Sequence, residues 1–80
     1  MAFEMHSVGS ALIRAIGHDQ ERNVLRIEFK DGAAWDYAGV DDEKFLRMLN
    51  ADSVGRFFHT EIKGQHTETR AGQEPPEDTQ

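Results

Sequence analysis

The stretch Phe29-Lys-Asp-Gly-Ala-Ala-Trp-Asp-Tyr37 decides the fold. Ahead of it, Leu25, Ile27 and Phe29 alternate with Arg26, Glu28 and Lys30, the period-2 pattern of a strand with one buried face. Asp31-Gly32 then turns the chain, and Trp35 and Tyr37 follow two residues apart on a second strand. Two hairpin geometries compete. A two-residue Asp31-Gly32 turn sets Ile27 against Asp36 and Arg26 against Tyr37, which mixes apolar and charged faces. A three-residue loop, Lys30-Asp31-Gly32 with Gly32 left-handed, sets Phe29 against Ala33, Ile27 against Trp35, Leu25 against Tyr37 and Arg26 against Asp36. Every pair in the second register agrees in polarity. A one-residue slip would carry the whole apolar set to the wrong face, so the three-residue loop is the expected one.

Working outward, Ser10 to Gly17 reads as an earlier strand whose large apolar residues, Leu12, Ile13 and Ile16, do not alternate cleanly. A bulge or a two-sided strand would account for that spacing. The polar run His18 to Asn23 forms the intervening turn, and Met1 to about Val8 is expected to fray. After the hairpin, Asp41 is a good N-cap, Val40 and Phe45 form a hydrophobic staple, and Phe45, Met48 and Leu49 give one apolar helix face. Asp52 or Ser53 caps a second helix from about Val54 to Lys63, with Gly64 as its stop. On a regular α-helical wheel, Val54, Phe57, Phe58 and Ile62 share one side and Arg56, His59 and Lys63 the other. Glu61 then points into the apolar arc, so it reaches an edge, meets a basic partner, or the helix phase departs from regularity.

The expected fold class is α+β: a three-stranded antiparallel β-meander packed against two C-terminal α-helices, with a disordered acidic C-terminal tail. The domain is assigned to residues 7–65 and the tail to 66–80, which hold nothing larger than alanine to bury and are rich in proline and glutamate. An 80-residue chain allows one domain with a folding margin of a few kcal/mol, because so short a chain buries only about 60% of its unfolded surface. There are no cysteines, hence no disulfide or thiolate zinc site. No apolar run reaches the ~20 residues of a membrane span. A cytoplasmic, soluble protein is the expectation.

The net charge is −6. Residues 1–65 carry eleven acids against eight bases, and residues 66–80 four acids against one base, so half the excess lies in the tail. Non-specific affinity for nucleic acid comes from lysine and arginine on phosphates, so any such binding must use a local patch. Arg56, His59 and Lys63 are the best candidate, and Lys44 and Arg47 extend it; the plainer reading is a solvated helix face. Trp35 and Tyr37 suit stacking of unpaired bases, or they close the core, with the Tyr37 hydroxyl reaching a surface partner; the register argument favours the core. Arg14, Arg26 and Lys30 share the outer sheet face with Glu28 and Asp36, which points to ion pairs there.

Four histidines, His6, His18, His59 and His66, invite a metal reading, but no two stand i, i+4 on a helix, so no metal site is expected. Nothing marks a nucleophile elbow, a phosphate-cradling loop or a paired-carboxylate motif, and no catalytic residue or cofactor is expected.

Over about Ser7 to His66 the chain resembles the KTSC family, a domain found at the C-terminus of some lysyl-tRNA synthetases and alone in small bacterial and phage proteins. The matching features are Ser10 and Ile13; Ala15-Ile16-Gly17 leading to Asp19; Leu25, Ile27 and Phe29; Gly32; the pair Trp35 and Tyr37; Val40; and Ala51-Asp-Ser53-Val-Gly55-Arg-Phe57-Phe58 with Ile62. The chain departs from the family pattern at His18, Trp35, Asp41 and His59. The resemblance implies a small non-catalytic binding module associated with RNA or tRNA. In that reading Arg56, His59 and Lys63 hold phosphate, and Tyr37 and Trp35 contact bases. The alternative, favoured by the charge balance, is a protein-interaction module that docks through a sheet edge or through its acidic tail.

Overall fold

The computed structural model describes residues 3–71. They form one antiparallel sheet of five strands in sequence order: β1 (His6–Ser7), β2 (Ile13–Asp19), β3 (Val24–Phe29), β4 (Ala34–Ala38) and β5 (Glu68–Arg70). Between β4 and β5 the chain forms α1 (Asp42–Leu49) and α2 (Val54–Phe57), and α2 runs on as a π-helical turn over Phe58–Ile62.

The central hairpin has the expected register. Leu25 faces Tyr37, Arg26 faces Asp36 and Ile27 faces Trp35. The loop closes with Phe29 N–H donating to Ala33 O (2.8 Å) and Gly32 N–H to Phe29 O (3.0 Å), while Asp31 Oδ1 accepts from Ala33 N–H (2.9 Å). Gly32 sits at φ +98°, a conformation that a β-carbon resists. The bulge in β2 is also present: Ile13 faces Phe29, but Ala15 faces Glu28, leaving Arg14 unopposed. That extra residue returns Ile13 and Ile16 to the same side of the sheet. Both are completely buried with Leu25 and Ile27.

Helix α1 covers this face with Phe45 and Met48. Asp41 caps it, its Oδ1 accepting from Lys44 N–H at 2.8 Å, and buried Val40 precedes the cap. Ser53 caps α2 through Arg56 N–H (3.1 Å), and Val54, Phe58 and Ile62 bury at i, i+4, i+8. The helix widens after Phe57: Lys63 N–H donates to Phe58 O, five residues back (2.8 Å), and Thr60 Oγ1 donates to Arg56 O (3.0 Å). This shift of phase resolves the Glu61 conflict. Glu61 lies half-buried at an edge, lining the same shallow groove as Arg47 and Arg56. Gly64, at φ +83°, ends the segment as expected.

The sheet has five strands, not three. Within the segment assigned to the disordered tail, Glu68–Arg70 instead forms β5, with Tyr37 facing Glu68, Asp36 facing Thr69 and Trp35 facing Arg70. Its three residues are all exposed, so no hydrophobic pattern could announce it. The rest of the expected tail, 72–80, lies outside the described residues. β1 corrects the expected fraying before Val8: His6 faces Ile16 and Ser7 faces Ala15. Gly17 explains why the first segment lies so close, since a β-carbon there would come within 2.6 Å of Met5 Sδ and 3.0 Å of Glu4 O. On the outer face Arg26 forms a bidentate pair with Asp36 (2.8 and 3.1 Å) beneath the Phe3 ring, and Arg14 approaches Glu28 at 4.0 Å. The Asp36 carboxylate holds Arg26 yet more firmly protonated than a free guanidinium. No described helix is long and apolar enough to cross a membrane.

Candidate binding grooves

The two aromatics of β4 have different fates. Tyr37 is 2% exposed, with the Phe58 ring edge-on at 5.7 Å, and cannot present its face to a base. This supports the core reading: Tyr37 lines the groove described below without an open ring face for stacking. Burial, and secondarily the negative charge of the Glu68 carboxylate, pushes its pKa up. Glu68 is the residue of β5 that faces Tyr37. Trp35 lies nearer the edge, half-buried, with the Arg70 guanidinium 5.5 Å from its ring centroid.

Where the sheet face meets the π-helical turn, a groove of about 250 Å³ opens. Its apolar floor is Leu12, Phe29 and Trp35, and its rim carries His59 and Lys63 together with Asp31 and Glu68. Leu12 is 47% exposed because Ser10 Oγ accepts from both Leu12 and Ile13 N–H groups (3.2 and 3.3 Å), setting the entry into β2 so that Ile13 turns inward. The structure therefore brings Trp35, His59 and Lys63 together. Arg56 is not with them. The π turn rotates Lys63 away from the position a regular helix would give it, and Arg56 lines a second groove with Arg47, Asp52 and Glu61. The expected three-residue cationic stripe is split. Lys44, its suggested extension, is engaged by His66 (Nζ to Nε2, 2.9 Å).

A third concavity, about 480 Å³, lies at the opposite end between β1, the end of β2 and the start of α1. His6, His18, Glu4, Asp19, Glu21 and Asp42 line it. Asp19 is fixed by Arg22 Nε (2.8 Å) and by the Glu21 and Arg22 N–H groups, and the Arg22 bond chiefly lowers its pKa. The His18 side chain is 2% exposed, its ring stacked on Phe45 at 5.1 Å and 11°. Sequence reasoning put His18 at the start of the turn and weighed it only as a metal ligand; it stands instead in β2, two residues after Ile16, where period-2 places its ring on the buried face. Among the described residues no three His, Asp or Glu side chains converge to hold a metal.

A family model for the KTSC domain matches residues 9–66. An uncharacterized protein of Stutzerimonas stutzeri is 40% identical over 57 residues, covering 71% of this chain and 80% of that protein. A protein of Tsukamurella paurometabola is 37% identical over 59 residues, covering 74% of this chain and 88% of its own. The crystal structure of a KTSC domain protein from Yersinia pestis superposes with a TM-score of 0.84 at 32% identity, covering 89% of this chain and all of that one. With its hairpin register, bulge and helix caps in place and the match extending across the folded residues, the chain belongs to the KTSC domain family.

Proposed function

We propose that this KTSC domain is a small non-catalytic binding module that docks a segment of a partner protein in the groove over Leu12, Phe29 and Trp35. One observation carries the reading: an apolar floor that includes a half-exposed leucine is framed by charges of both signs, Lys63 and His59 against Asp31 and Glu68. A protein segment with an apolar anchor and mixed polar flanks complements such a surface. A polyanion does not, because each phosphate near Lys63 also meets the Glu68 and Asp31 carboxylates.

RNA association is the second reading, favoured by the meeting of Trp35 with His59 and Lys63 in one groove. There the indole would stack a single unpaired base and Lys63 would hold its phosphate. Affinity capture from bacterial lysate, with and without nuclease, using the native domain and Leu12→Glu, separates the two. Nuclease-resistant protein partners lost with Leu12→Glu support docking of a protein; recovery abolished by nuclease and by Lys63→Glu supports RNA. Partners unaffected by either substitution would remove the groove from both readings.

A further inference from the structure

The cleft at the start of α1 holds an unmet hydrogen-bonding demand. His18 Nε2 lies 2.6 Å from Val40 O. A carbonyl only accepts, so Nε2 carries the proton, and in the neutral ring Nδ1 is left as an acceptor. That nitrogen is buried and has no hydrogen-bond partner among the described residues. It faces Asp42 Oδ1 at 3.7 Å, a second acceptor. Two acceptors thus confront each other: Asp42 Oδ1 takes the Gln20 amide (3.0 Å), while His18 Nδ1 has no donor among the described residues, in a cleft whose other carboxylates are Glu4, Asp19 and Glu21. The basic side chain beside it, Arg22, is turned onto Asp19.

We propose that this cleft binds a primary ammonium group, one N–H directed to His18 Nδ1 and another to Asp42 Oδ1. The chemistry selects the class. A lone imidazole nitrogen and a carboxylate both accept, so the ligand must supply at least two donors, and the surrounding carboxylates require it to be cationic. A divalent metal is disfavoured by the same geometry, since no three ligating side chains converge among the described residues. Access runs through Asp42, whose side chain is 50% exposed and, among the described residues, accepts from the exposed Gln20 amide at 3.0 Å. The ammonium takes the place of that amide. His18 stays fixed meanwhile by the Val40 carbonyl and the Phe45 ring.

The test is an NMR titration of the full chain at pH 8, reading the His18 imidazole nitrogens, with n-butylammonium, Nα-acetyl-lysine amide and tetramethylammonium as probes. The expected result is a saturable shift of Nδ1 with the first two. Tetramethylammonium, cationic but without N–H, should bind at least about tenfold more weakly, the scale of one charge-assisted hydrogen bond. Asp42→Asn should weaken n-butylammonium by a similar factor, and Gln20→Ala should not weaken it. Tighter binding of the lysine derivative supports the site with a protein side chain as its source, and tighter binding of the alkylamine supports it with a small amine. Three outcomes overturn it: no saturation at tens of millimolar, equal affinity for tetramethylammonium, or an Nδ1 already protonated at pH 8 in the free protein.

Discussion

Two histidines hold the same three residues, Ala38 to Val40, and they are satisfied to different degrees. His66 Nδ1 donates to Ala38 O (2.8 Å), and its Nε2 accepts from Lys44 Nζ (2.9 Å). His18 Nε2 donates to Val40 O, and its Nδ1 has no hydrogen-bond partner among the described residues and faces a carboxylate at 3.7 Å. Between the two carbonyls Gly39 turns at φ +78°, with room for His66 Nδ1 3.5 Å from where a β-carbon would stand. At the His66 end every polar demand of the clamp is met within the chain, so that end is structural. At the His18 end a buried acceptor carries a desolvation cost of about 1–3 kcal/mol that the fold itself does not offset. The contrast locates the place where an outside donor would act.

The largest test of this division is Phe58→Ala. Phe58 is 3% exposed and packs edge-on against both Phe29 and Tyr37, so chemical denaturation should show a loss of about 3–5 kcal/mol, with the groove over Trp35 disrupted. Gly17→Ala should act at the other end. Its β-carbon meets Met5 Sδ and Glu4 O, so the first segment must lift; a loss of about 1–3 kcal/mol is expected, with amide shifts around His6 and His18 and few around Trp35. Equal disturbance of both ends would break the comparison.

Tyr37→Phe separates burial from titration. The hydroxyl's folded pKa is raised above its ordinary 10.0. The unfolded chain therefore loses its proton first, and the stabilising contribution is complete below about pH 10 and falls as pH rises from there toward the folded value. Denaturation midpoints of the native protein should drop above pH 10, and Tyr37→Phe should flatten that limb. Asp19 runs the other way: its folded pKa is depressed below 3.8, so its contribution is present above about pH 4 and disappears as pH falls through the lower folded value. Asp19→Asn should match the native protein in acid and lag behind it at neutral pH. The smallest effect on stability should come from Leu12→Glu, within about 0.5 kcal/mol because the side chain is half-exposed, while capture of groove-dependent partners is lost.

How legible each part was depends on what holds it. The hairpin was readable because side chains specify its register: Ile27 with Trp35 and Arg26 with Asp36 each agree in polarity. The caps at Asp41 and Ser53 were readable because a short side chain must satisfy orphan N–H groups at a helix start. β5 was not readable, since Glu68, Thr69 and Arg70 bury nothing and main-chain bonds such as Ala71 N–H to Ala34 O (2.8 Å) hold the strand. The π turn escaped for a related reason: its apolar residues at i, i+4, i+8 fit a regular helix almost as well, and only Glu61 registered the strain. That turn is also why the cationic stripe of Arg56, His59 and Lys63 separated. His18 was legible in principle from the period of β2, but its significance lies in the absence of a donor opposite Nδ1, which only the three-dimensional arrangement displays.

The tautomers of the two histidines test the comparison most directly. Long-range proton–nitrogen correlation at pH 8 should find His18 protonated on Nε2 with a lone pair on Nδ1, and His66 protonated on Nδ1 with Nε2 accepting from Lys44. The same tautomer in both rings, or a His18 protonated on both nitrogens at that pH, would contradict the account.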